Sequence, residues 1–218
     1  ICRSALSKMN TVAVRVPSSI IFLNVLSKLK IPLAAPSANR YGKISPTSAS
    51  DVYEELNGKI SVILDGGNSL IGLESTVIDL TEKKAKVIRH GGISKKELNS
   101  VMPLYDNKEK LKVFISPGLS NSHYKPDSSL RINALRPRKN EAWLAFGTIP
   151  KGFKGIALTL SEKKCLKESA KNLYKMLRYL DKKKCSRIAV QKIPKLGLGI
   201  AINDRLKRAA FNDKTNVK

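Results

Sequence analysis

Ser37, Asn39, Ser45 and Thr47 fall within sixteen residues, PLAAPSANRYGKISPT at 32–47, a stretch with no Cys, carboxylate or His. Hydroxyls and amides on a loop donate hydrogen bonds to phosphate or carboxylate oxygens. Proline and small residues let backbone approach a ligand closely. Arg15, Ser75 and Arg89 stand at the ends of other apolar runs. Arginine makes charge-assisted, often bidentate bonds to carboxylate or phosphate. The inventory suits a nucleotide beside an acidic small molecule. It supplies no evident nucleophile, general base or metal ligand set. That fits transfer at a phosphoryl group, where positioning and electrostatics carry most of the catalysis.

Each of these features has an ordinary structural reading as well. Ser-x-Asn after proline is a common capped turn, Asp65-Gly-Gly a plain turn, Glu74 a strand cap. Arg15 and Arg89 fit surface ion pairs, and His123–Tyr124 fits an anchor for a connecting segment.

The elements that would hold these residues follow from pattern. TVAVRVP (11–17) alternates and ends at Pro17, predicting a strand. Ile21, Val25, Leu26 and Leu29 have helical spacing. IPLAAP (31–36) and ISVILDGG (60–67) predict further strands. Between them a helix is expected after Pro46, stopped by Gly58. STVIDLT (75–81) and AKVIRHGG (85–92) read as strands on either side of a charged turn, and ISKKELNSVM as a short helix. The class is α/β with a mixed sheet.

The pattern changes near residue 115. SPGLSNSHYKPDSSLRINALRPRKN is rich in proline and serine and has little periodicity, so 115–138 reads as a linker. Its length suggests a function beyond tethering. Residues 139–218 then form a second, small α/β unit. AWLAFG, GIALTL and SRIAVQKIP are its strands. Ala170, Leu173, Leu177 and Leu180 mark one helical stripe, and LGLGIAINDRLKRAA is a glycine turn opening a helix. Gly197-Leu-Gly199 lacks the third glycine and the later acidic residue of a dinucleotide fingerprint.

Hydrophobic residues make up 42% of the 218, enough for a core, and no apolar run reaches the length that spans a bilayer. Cys2, Cys165 and Cys185 are widely spaced, which disfavours zinc and fits a reducing cytoplasm. The formal net charge of +24 favours polyanions. A lysine-rich proteome would produce the same surplus with no nucleic-acid role.

In this order and spacing, TVAVRVP, PLAAPSANRYGKISPT, ILDGG, GLESTVIDLT and VIRHGGIS closely resemble the threonylcarbamoyl-AMP synthase family, whose catalytic domain has the YrdC-like fold. SPGLSNSHYKP is similar to the linker of its long, two-domain form, and AKNLYKMLRYLD and GLGIAINDRLKRAA to its C-terminal domain. The resemblance implies a partial YrdC-like twisted mixed sheet over 1–114, a linker or lid over 115–138 and a small Rossmann-like α/β domain over 139–218. It also implies an enzyme that makes threonylcarbamoyl-adenylate from L-threonine, bicarbonate and ATP, releasing pyrophosphate, with Mg2+ accompanying ATP. The product would feed threonylcarbamoylation of tRNA adenosine by a downstream transferase complex. Carried over by motif, Thr11, Ser37, Asn39, Ser45 and Arg89 face ATP. Arg15, Ala35 and Ser75 line the threonine side, and His123–Tyr124 closes over the nucleotide. The family's domain normally starts well before TVAVRVP with a Lys-x-Arg element, which residues 1–10 do not contain. The chain is therefore expected to lack part of that domain. The alternatives are a non-catalytic module binding double-stranded RNA or tRNA, and a remnant of the enzyme.

Overall fold

The structure, a computed structural model, describes residues 11–105 and 123–211. In chain order it contains α1 (Ile20–Leu29), α2 (Ala49–Leu56), β1 (Val77–Asp79), β2 (Lys86–Arg89) and α3 (Lys95–Asn99). After these come β3 (Ser129–Ala134), β4 (Glu141–Ala145), β5 (Ala157–Thr159), α4 (Leu166–Lys182), β6 (Arg187–Gln191) and α5 (Leu198–Ala209). The mixed α/β class holds. The strands form a two-stranded antiparallel sheet, β1-β2, and a four-stranded parallel sheet in the order β3-β6-β4-β5.

Local sequence explains where the helices of the first unit start and stop. The Ser19 and Ser48 hydroxyls accept from backbone N–H groups in the first turns of α1 and α2. Ser94 and Glu97 form a reciprocal capping box on α3. Just past α2, Gly58 takes the left-handed conformation that ends a helix cheaply (φ 75°). Pro46 lies ahead of the cap and not in the helix itself.

The hydrophobic core sits almost wholly in the second unit. Leu144, Leu160, Leu173, Leu177, Leu180, Ile188, Val190 and Ile202 are fully enclosed between the parallel sheet and helices α4 and α5. β4 and β6 are central strands and read as continuous apolar runs, as parallel strands covered on both faces must. Ile44, from the first unit, joins this core at 3% exposure.

Two expectations need correction. Ser129–Ala134, inside the stretch read as linker, is the edge strand β3, paired with β6 from Ser129 opposite Arg187. Its Leu130 and Ile132 do alternate, but flanking serines and prolines mask so short a run. Residues 115–122 of that stretch lie outside the described residues. The second correction concerns 11–17, 31–36 and 60–67, which form no strand among the described residues. Apolar alternation specifies which face would be buried. A ladder also needs a neighbouring strand to exchange N–H and C=O bonds. Without one, Val14 is 83%, Val16 87% and Val62 72% exposed.

Candidate substrate site

The site forms where the first unit's loops meet α4 and α5, and Glu74 is its hub. One oxygen of the Glu74 carboxylate accepts from Ser45 Oγ at 2.8 Å. Tyr174 OH, on α4, reaches both oxygens at 3.0 Å. Arg205 Nε, on α5, donates to the second oxygen at 2.9 Å. Burial opposes charge on this carboxyl, but the Arg205 guanidinium and the Ser45 hydroxyl outweigh it, holding Glu74 below its ordinary range. Burial likewise opposes the charge on Arg205, yet Glu74 holds its pKa above the usual arginine value. Both groups are therefore ionised in the folded state.

The neighbouring residue, Ser75, gathers the arginines. Arg15 Nη1 donates to Ser75 Oγ at 3.0 Å, across sixty positions of sequence. Arg89 donates to the Ser75 carbonyl from Nε at 3.2 Å and Nη2 at 3.0 Å. β2 delivers Arg89 there because its Cα is opposite Val77 in the antiparallel ladder. The turn at 91–93 straps the same segment. Gly92 N–H donates to the Glu74 carbonyl at 2.9 Å. Thr76 Oγ1 donates to the Ile93 carbonyl at 2.6 Å. A Cβ on Gly91 would stand 2.2 Å from the Glu74 carbonyl oxygen, so only glycine permits this approach.

Residues 44–47 are pinned from the other side. Arg178, nearly buried on α4, donates to the Ile44 and Ser45 carbonyls and pairs with Glu55 at 3.1 Å. Lys125 N–H donates to the Gly42 carbonyl at 2.8 Å, and Lys43 pairs with Asp127, so the segment after His123–Tyr124 runs against this loop. Tyr124 itself is 1% exposed and lies under the Arg205 guanidinium, 5.4 Å from ring centroid to cation. Burial raises its hydroxyl pKa to about 12 and lowers that of His123, which is neutral at pH 7.

Of the residues expected from sequence, Arg15, Ser45, Ser75, Arg89 and Tyr124 thus converge around Glu74–Ser75. Thr11, Ala35 and Ser37 are exposed on segments outside any helix or strand and take no part in these hydrogen bonds. Asn39 turns its amide nitrogen to the Arg40 carbonyl at 2.7 Å and the Lys43 carbonyl at 3.2 Å, which closes its own loop. Three residues of this region keep a buried polar atom without a partner: Asn39 Oδ1, His123 Nδ1 and Arg205 Nη2. Buried polar atoms are nearly always satisfied, so each exception calls for a partner such as a water, an ion or a ligand group.

Sequence reasoning left out Tyr174, Arg178 and Arg205 and gave Glu74 only a capping role. A signal for them existed. Tyr174 lies four residues after Ala170 on the apolar stripe of α4, and Arg205 lies between Ile202 and Leu206 on α5. A charged or hydroxyl group on a core-facing stripe must find a buried partner. Among the described residues no group of three or more His, Cys, Asp or Glu could hold a metal ion, and no helix is long and apolar enough to cross a membrane.

Arginine-bearing loops packed against a small parallel α/β domain make this a two-unit α/β protein, and comparison with known proteins is more specific. Residues 1–91 match the Sua5/YciO/YrdC family model described as telomere recombination, and residues 93–211 match the threonylcarbamoyl-AMP synthase C-terminal domain. The chain belongs to the threonylcarbamoyl-AMP synthase family. It is 34% identical over 220 residues to the threonylcarbamoyl-AMP synthase of Pyrococcus abyssi and 32% over 222 residues to that of Bacillus subtilis. Each alignment covers 93% of this chain and 64% of the relative, so the chain spans less than two thirds of their length. The crystal structure of P. abyssi Sua5 complexed with L-threonine superposes with a TM-score of 0.84 at 32% identity, covering 96% of this chain and 67% of that one. A variant of the same protein, with adjacent His and Tyr replaced by alanine, gives 0.78 at 31% identity, covering 93% and 63%.

Proposed function

We propose that this chain carries the Ser75 side of the substrate cleft of an L-threonylcarbamoyladenylate synthase. In that reaction the amine of L-threonine bonds to the carbon of bicarbonate, a C–O bond breaks, and water leaves to give a carbamate. A carbamate oxygen then attacks the α-phosphorus of ATP, the new P–O bond forms, and the bond to pyrophosphate breaks. The adenylate passes to a tRNA-modifying transferase in the cytoplasm.

The observation that carries this reading is the meeting of Arg15 and Arg89 on Ser75, with Ser45 held beside them by Glu74. Arg15 and Ser75 suit the carboxylate and hydroxyl of threonine, with the small Ala35 letting backbone approach. Arg89 suits the phosphates of ATP, where charge builds as pyrophosphate leaves. Thr11, Ser37, Asn39, Ser45 and Tyr124 are assigned to the nucleotide, which enters with Mg2+ as its own counter-ion. The three unpartnered polar atoms of Asn39, His123 and Arg205 support a ligand site at this junction. None of these side chains needs to act as a nucleophile. Their contribution is orientation and charge.

The test is calorimetric titration of the chain with L-threonine and with MgATP, followed by an assay of pyrophosphate released only when threonine and bicarbonate are both present. Arg15→Ala and Ser75→Ala are expected to abolish threonine binding and leave the fold intact. Threonine affinity equal to wild type in both variants would overturn the assignment.

A further inference from the structure

The second unit does more than pack beside the cleft. Its helix α5 sends Arg205, fully buried, to the Glu74 carboxylate at 2.9 Å. Its helix α4 sends Tyr174 to the same carboxylate and Arg178 to the Ile44 and Ser45 carbonyls. Glu74 in turn holds the Ser45 hydroxyl and is joined through the backbone to Ser75. The two cleft segments, 44–47 and 74–76, therefore share one carboxylate, and that carboxylate is fixed from the second unit.

We infer that Arg205 is a positioning residue for the substrate cleft: acting through Glu74, it sets where Ser45 and Ser75 stand. This rests on the proposed reaction for its consequence in catalysis, but not for its geometry. Truncating one partner of a buried ion pair leaves the other charge uncompensated. With Arg205 gone, Glu74 must either move toward water, which takes the acceptor away from Ser45, or take a proton, which leaves Ser45 only the weaker bond to a neutral carboxyl. Ile44 would stay in the core, so 44–47 and 74–76 should loosen while the parallel sheet does not.

Native-state hydrogen exchange on the whole chain reads this directly. In Arg205→Met, exchange at 44–47 and 74–76 should rise about tenfold or more, the scale of a lost charged hydrogen bond. Protection of β6, at 187–191, should not change. Arg205→Lys keeps the charge and should restore part of the protection. Tyr174→Phe removes one bond to Glu74 with little change of volume and should give a smaller rise in the same segments, which guards against a methionine variant that fails to fold. A second arm measures threonine affinity in the same proteins. It should fall in the order Arg205→Lys, Arg205→Met while the melting temperature of Arg205→Lys stays near wild type. If exchange rises equally in β6, or does not rise at 74–76, Arg205 is only a core residue and the inference fails. If the wild-type chain takes up no threonine and the exchange pattern still appears, the assignment of threonine to these residues of this chain fails and the positioning stands.

Discussion

Tyr124 and Tyr174 stack with ring centroids 5.6 Å apart and planes inclined by 22°. One ring belongs to the segment that joins the units and the other to α4, so the joining segment is clamped at its C-terminal end by an aromatic pair inside the core.

The clamp has a measurable cost of removal. Tyr124→Ala should lower stability by about 3 kcal/mol, the range for deleting a large buried aromatic side chain. Tyr124→Phe should retain most of it, because the ring and its stack on Tyr174 remain. Chemical denaturation of the three proteins checks this. An unchanged midpoint for Tyr124→Ala would mean that the ring leaves the core in solution and serves the nucleotide alone.

Acid should loosen the junction before it unfolds the sheet. Glu74 titrates below its ordinary value of 4.5, so its contribution to stability is complete above that pH. The contribution is lost as pH falls through the depressed folded value. Glu74→Gln should remove this dependence and flatten the fall in denaturation midpoint below pH 4.5. Parallel acid profiles for wild type and Glu74→Gln would contradict it.

Gly91→Ala should misplace Ser75. Its Cβ would meet backbone at 2.2 Å and 2.4 Å, at the Glu74 carbonyl oxygen and the Ser75 carbonyl carbon. Backbone at that range must shift as a whole. Threonine affinity should drop at least tenfold. Gly66→Ala is the control: its added methyl would meet only Ile21 Cδ1, at an ordinary 3.8 Å, and binding should not change. Equal affinities in the two variants would show that the approach of 91 to 74 is not constraining.

Residues 11–16 and 61–65 should accept a strand. Val14, Val16, Val62 and Leu64 are exposed on backbone that forms no helix or ladder among the described residues. The part of the P. abyssi relative that this chain does not span, added as a separate polypeptide, should slow amide exchange there. Exchange that stays fast at saturating concentration would rule out strand addition.

How far the sequence announced this structure depends on the range of the interaction. α1, α4 and β6 were legible because periodicity and turn residues are local properties. Arg15, Ser75 and Arg89 were legible as a motif in order and spacing. The runs at 11–17, 31–36 and 60–67 form no strand among the described residues; an apolar pattern says nothing about whether a neighbour exists. Arg205 and Tyr174 were missed because their partner, Glu74, lies 131 and 100 positions away. Such pairings follow from tertiary geometry, which no window of sequence contains.

The insertion of Ile44 into the second unit's core carries a consequence for biosynthesis. Arg178 reaches back 134 positions to the Ile44 carbonyl, and Arg205 reaches back 131 to Glu74. Closing loops of that length comes late, since their entropy must be spent before the contact repays it. On the ribosome, residues 44–47 and 74–76 emerge first and wait, unanchored, until α4 and α5 have been made. The junction is thus assembled backwards: helices made later fix the geometry of loops made earlier, and a nascent chain stopped before Arg205 would hold Ser45, Glu74 and Ser75 without the contact that places them.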